Sequence, residues 1–162
     1  MNRTKFNKSI KSHTVKLNAP PEQIFPLLCP VREEEWTSGW ENDTYGLIYT
    51  ESGFNEEGCV FKTSYPDGNE SLWICTKHDQ ENHEVEFLVH IIDIAIRKMN
   101  IKLKTNAEQT TDARFEYTVT AISEKGNAVV DDLEAGVIKS ASGLAMMINH
   151  YLQTGTKLKI NV

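Results

Sequence analysis

Three glutamates in a row, Glu33-Glu34-Glu35, stand directly before Trp36. A carboxyl held against an indole at a pocket mouth could move protons as a general acid or base. Glu35, next to the tryptophan, is the member that desolvation would shift upward. As a charge run the triplet is expected on a solvated turn instead, because consecutive residues share no helix face. The five histidines are His13, His78, His83, His90 and His150. No pair has the H-E-x-x-H spacing of a helical metal site, so they read as surface residues and no metal is expected. His90 alternates away from Phe87 and Val89, and His150 falls to one side of its helix. Cys29, Cys59 and Cys75 show no C-x-x-C spacing and cannot all pair within the chain. Cys59 and Cys75 lie in apolar strands as small hydrophobes, which fits a reducing, cytoplasmic setting. There is no nucleophile elbow, phosphate-binding loop or other cofactor signature, and no cofactor is expected.

Large apolar side chains are what the chain does supply. Trp36, Trp40, Phe61, Trp73, Phe87, Met99, Phe115, Tyr117, Met147 and Tyr151 are expected to face inward. As a cavity lining they suit a small, flat or greasy apolar molecule, with Tyr117, Tyr151 or a tryptophan N–H fixing its orientation. The same ten side chains also suit a filled core.

The elements that must position them follow from periodicity. Lys11 to Asn18 alternates, with Val15 and Leu17 on one face, and reads as a first strand. Ala19-Pro20-Pro21-Glu22 opens a short helix carrying Ile24, Phe25, Leu27 and Leu28, which Pro26 and Pro30 keep short. A second short helix is expected from Pro30 to Trp36. Strands follow at Tyr45–Thr50, Cys59–Ser64 and Ser71–Lys77, with Pro66-Asp67-Gly68-Asn69 as a turn and His78–Asn82 as the next. Three alternating strands come next, around Val85-Phe87-Val89, Met99-Ile101-Leu103 and Phe115-Tyr117-Val119. One wet face and one buried face imply antiparallel pairing. Ser123 to Leu152 reads as one long helix behind a polar start, with Leu133, Val137, Leu144, Ile148 and Tyr151 on one stripe and Gly155 as its stop. Gly136, Ser140, Ala141 and Gly143 allow either close approach to the sheet or room for a ligand. The fold class is therefore α+β, an antiparallel sheet of about seven strands wrapped around a long C-terminal helix, with two short helices after strand 1.

At 162 residues the chain is expected to form a single domain over 1–162. Its net charge of -6 argues against a general nucleic-acid binder and against electrostatic binding to anionic lipid. No apolar run approaches the ~20 residues of a membrane span, so no membrane insertion is expected. Met1 to Ser12 is basic but lacks an apolar core, so no signal peptide is expected. Asn42-Asp43-Thr44 and Asn69-Glu70-Ser71 match the glycosylation pattern, which carries no meaning without secretion. No oligomeric state is legible.

The order of elements, with the local text, resembles the START-like superfamily, also called SRPBCC or the helix-grip fold, in its uncharacterised bacterial members. The resemblance is carried by Leu17-Asn18-Ala19-Pro20-Pro21-Glu22-Gln23-Ile24-Phe25-Pro26-Leu27-Leu28-Cys29-Pro30, by Glu35-Trp36 and by Gly39-Trp40-Glu41. Gly58-Cys59-Val60-Phe61-Lys62-Thr63, Leu72-Trp73-Ile74-Cys75-Thr76 and Ala121-Ile122-Ser123-Glu124-Lys125-Gly126-Asn127 continue it over nearly the whole chain. It implies a cavity between sheet and helix that holds lipids, polyketides or other apolar molecules. Members include carriers, polyketide aromatase/cyclases and chaperone activators. The expected function is thus binding or carriage of a small hydrophobic ligand. A polyketide cyclase-like enzyme and a protein-interaction module are the alternatives. The glycine-rich loop of the pollen-allergen branch is missing.

Overall fold

Seven strands form one antiparallel sheet in the order β1-β7-β6-β5-β4-β3-β2. They are β1 (Lys8–Leu17), β2 (Tyr45–Tyr49), β3 (Val60–Ser64), β4 (Glu70–Asp79), β5 (Glu84–Ile91), β6 (Ala95–Thr105) and β7 (Thr111–Ala121). The structure is a computed structural model describing residues 6–40 and 44–159. Met1–Lys5 of the basic start and Glu41, Asn42 and Asp43 lie outside the described residues.

Strands β2 to β7 form a meander of neighbours, and β1 closes onto β7 from Lys8 opposite Thr120 to Leu17 opposite Thr111. Alternation sets one face inward, as in β7, where Ala113, Phe115, Tyr117, Val119 and Ala121 are all buried. β4 runs two residues further than its apolar pattern suggests. A bulge between Cys75 and Lys77 lets it continue to Asp79, so His78 lies in the strand and not in the turn.

After β1 the chain makes one α-turn, α1 (Pro21–Ile24), with proline at its first position. It tightens into a 3-10 turn at Phe25–Leu27, where Pro26 has no N–H to continue the ladder. The expected second helix is only a 3-10 turn, Glu33–Glu35. Trp36 follows it, fully buried, and donates its indole N–H to the Leu27 carbonyl at 3.0 Å. That bond ties the two turns together.

The tail differs from the single helix expected over Ser123–Leu152. It is two helices, α2 (Glu124–Asp131) and α3 (Leu133–Thr154), meeting at Asp132. Asp132 has φ -92 and ψ 8, outside helical geometry. Ser123 caps α2 by accepting from the Gly126 N–H at 3.2 Å. Gly126 then lies so close to β6 that a Cβ there would stand 2.1 Å from the Ile94 carbonyl. The start of the tail is pinned to the sheet at that point, and the chain bends at Asp132 to run along it. Gly155 ends α3 with φ +69.

The buried face of α3 is Leu133, Val137, Ala141, Ala145 and Ile148. Each large member contributes roughly 1.5–3 kcal/mol by burial. The helix lies over β1 and β7, at one side of the sheet. Polar contacts hold both tail helices there. Asn127 on α2 accepts from the Asn7 N–H at 2.9 Å, and Lys11 pairs with Glu134 on α3 at 3.4 Å. Asn149 accepts from the Asn18 N–H at 2.8 Å and donates to the Lys16 carbonyl at 3.1 Å. With the helix drawn to that edge, the inward face of β3 to β6 is left to be roofed by Leu28 and the Glu33–Trp40 segment.

Candidate functional site

A cavity of about 230 Å³ lies beneath that roof. Its floor is a row of rings set by strand register. Phe61 on β3 stands opposite Trp73 on β4, their centroids 5.3 Å apart and nearly parallel. Phe87 on β5 meets both edge-on. Tyr45, 5.6 Å from Phe61, and Trp40, 5.1 Å from Tyr45, extend the row outward. Met99 and Ile101 on β6, Tyr117 on β7, and Ser140 and Leu144 on α3 form the far wall.

Seven of the ten aromatic and methionine positions singled out in the sequence line this space: Trp36, Trp40, Phe61, Trp73, Phe87, Met99 and Tyr117. The other three do not. Phe115 is 1% exposed and packs in the core. Met147 and Tyr151 lie further along α3, half-buried against the core. The Tyr151 hydroxyl is committed to Glu35 at 2.9 Å.

The polar groups are not those expected to orient a ligand. All three indole N–H groups are used by the protein itself: Trp36 by Leu27, Trp40 by the Pro30 carbonyl and Trp73 by the Thr63 hydroxyl. Tyr117 remains, its hydroxyl 2.9 Å from Ser140 Oγ. Glu35 is also not the inward acid. Arg32 holds it through two bonds at 2.8 and 2.9 Å, and this pairing sets its carboxyl below the usual range.

Glu33 takes the inward place. One helical step back from Trp36, it lines the cavity, and no described side chain bonds its carboxyl. Burial alone raises it from 4.5 to about 8, so it is protonated at neutral pH and presents an O–H donor to an apolar space. The spacing Glu33-x-x-Trp36 in a tight 3-10 turn was the available signal, since residues three apart eclipse in that geometry.

Arg97 is a lining residue that the sequence patterns above do not single out. It shares the parity of Ala95, Met99 and Ile101 on β6, and that parity points inward. Its guanidinium lies 5.2 Å from the ring centroids of both Trp73 and Tyr117. Thr37 Oγ1, also in the lining, is buried without a partner among the described residues.

A separate, more open groove of about 440 Å³ gathers Cys29, Asn55, His78 and His83 around Phe25. The two histidine rings sit 5.1 and 5.7 Å from the Phe25 ring, so these two are partnered and not simply solvated. Burial lowers the His78 pKa. Cys29 accepts the Asn55 N–H at 3.1 Å. Among the described residues no three metal-ligating side chains converge, and no helix is long and apolar enough to cross a membrane.

The sheet order, the α1 turn after β1 and the long tail helix are those of the START-like helix-grip fold, which the Bet v1-like and SRPBCC proteins share. Solved structures of this fold superpose on nearly the whole chain. Norcoclaurine synthase from Thalictrum flavum matches with a TM-score of 0.70 at 11% identity, covering 94% of this chain and 91% of that one. The Zhui aromatase/cyclase from a Streptomyces species matches with a TM-score of 0.64 at 10% identity, over 94% and 100% of the two chains. DynU16, of the dynemicin biosynthetic locus, matches with a TM-score of 0.60 at 15% identity. That match covers 91% of this chain but only 48% of DynU16, so the chain spans about half its length. No family model and no curated protein matches by sequence.

Proposed function

We propose that this chain, as one START-like domain, binds and carries a compact hydrophobic ligand between the sheet and the tail helix. The observation that carries this is the 230 Å³ space walled by stacked rings, with few polar groups turned into it. A cavity of about 150 Å³ already accepts benzene. The volume therefore suits one or two fused rings and is short for a long acyl chain. Binding works by desolvating the ligand against Phe61, Trp73 and Phe87. A reducing cytoplasm belongs to the same reading, supported by three buried free thiols.

A cyclase-like enzyme is the second reading, and Glu33 is what favours it. A protonated carboxyl in a dry, shaped cavity has the character of a general acid. Norcoclaurine synthase and the aromatase/cyclase share the fold, which supports either reading.

Native mass spectrometry of gently purified protein, with calorimetric titration of 2-naphthol, tests the carrier reading. We expect saturable one-to-one binding, weakened about tenfold or more by Leu144→Trp, which fills the space. A clean apo mass together with no uptake of any one- or two-ring probe would refute it.

A further inference from the structure

Arg97 is placed where a cation has no counterpart among the described residues. Its neighbours along the inward face of β6, Ala95 and Met99, are buried and apolar. Trp73 and Tyr117 cover its guanidinium at 5.2 Å each. Its Nε is buried, with no hydrogen-bond partner among the described residues. None of the ion pairs among the described residues involves it. Among the described residues Glu33 is the one carboxyl in the cavity lining, and it does not bond Arg97. On its other side Arg97 borders an outer groove of about 460 Å³, where Lys125 and Asp132 also lie without an ion pair to it. Tyr117 and Ser140 border both spaces as well, so these three residues make the partition between cavity and groove.

A guanidinium is planar, always charged and built to meet a planar oxyanion through two parallel N–H bonds. Held half-desolvated on two rings, it lacks the acceptor that its Nε needs. An anionic ligand supplies both the charge and the acceptor.

We propose that the natural ligand is a compact aromatic acid, its ring stacked on Phe61 and Trp73 and its carboxylate paired with Arg97 at the partition. This rests on the cavity being a binding site. Glu33, as a neutral donor, suits a carbonyl or hydroxyl oxygen elsewhere on the same ligand. A ligand amine is disfavoured, since it would face the Arg97 cation.

The test compares 2-naphthoate with its neutral isostere 2-naphthamide, by calorimetry, on the wild type, Arg97→Met and Arg97→Lys. The wild type should bind the acid about tenfold or more tighter than the amide. Arg97→Met should lose that preference while holding the amide within about threefold, and Arg97→Lys should keep part of it. Amide binding with no preference for the acid, or a preference that survives Arg97→Met, overturns the assignment of Arg97 and leaves the cavity reading standing. Failure of both probes on the wild type overturns both. Near-ultraviolet circular dichroism checks that each variant is folded, and Arg97→Lys decides the matter if the methionine variant is not.

Discussion

Replacing Glu33 with glutamine should make the protein more stable, and increasingly so as the pH rises. The unfolded chain gives up this proton near 4.5, whereas burial holds it in the native state to about 8. Between those values the native state carries one more proton than the unfolded state, so raising the pH through this window removes stability. At 1.36 kcal/mol per unit, the rise amounts to a ceiling of about 5 kcal/mol, which any water entering the cavity reduces. Glutamine keeps the shape and a donor but has nothing to ionise. Urea unfolding of wild type and Glu33→Gln at intervals from pH 4 to 9 isolates the effect, because all other titrations cancel in the difference. The two proteins should be close in stability near pH 4 and diverge by several kcal/mol at pH 9, with the wild type the weaker. Parallel curves would mean that Glu33 ionises freely, and the account of a dry cavity with a neutral acid would fall.

Two further substitutions test how the roof and the tail are held. Trp36→Phe removes a fully buried N–H donor and leaves the Leu27 carbonyl unpaired; urea unfolding should show a loss of about 2 kcal/mol, and a negligible loss would remove Trp36 as the tie between the two turns. Gly126→Ala drives a Cβ against the Ile94 carbonyl and the Ala121 side chain, and should cost about 2–3 kcal/mol in the same assay; a neutral result would show that α2 can lift from the sheet freely.

Much of the fold was legible because a half-buried antiparallel strand writes its inward face in every second residue. Val85-Phe87-Val89 and Phe115-Tyr117-Val119 needed nothing more. The bend at Asp132 was not legible, since apolar positions before and after it continue one stripe, and the close approach of Gly126 to Ile94 that seats α2 joins residues 32 apart (126 less 94). In the site, ring positions followed from the pattern but polar ones did not. Glu33 and Glu35 are identical in type and two residues apart. Only the position of Arg32, which captures Glu35, and the tightness of the turn decide which one faces the cavity. Arg97 was available from parity alone, one step upstream of Met99, but a charged residue at a strand's start reads as solvated until the sheet is assembled. The tryptophan N–H groups were taken by backbone and hydroxyl acceptors ten or fewer residues away, close pairings that the apolar pattern does not announce.

The pairing of β1 with β7 has a consequence for the order of events during synthesis. Its partners are separated by 94 (111 less 17) to 112 (120 less 8) residues. At a ribosomal pace of about 5–20 residues per second, β1 waits roughly 5–20 s for its partner to be made. The meander from β2 to β7 grows hairpin by hairpin in that interval, from pairings local in the chain. The first strand made is thus among the last to dock, and α3, which lies over it, settles later still. The inward face of β7 therefore stays open to whatever surrounds it until β1 docks and α3 settles over both strands.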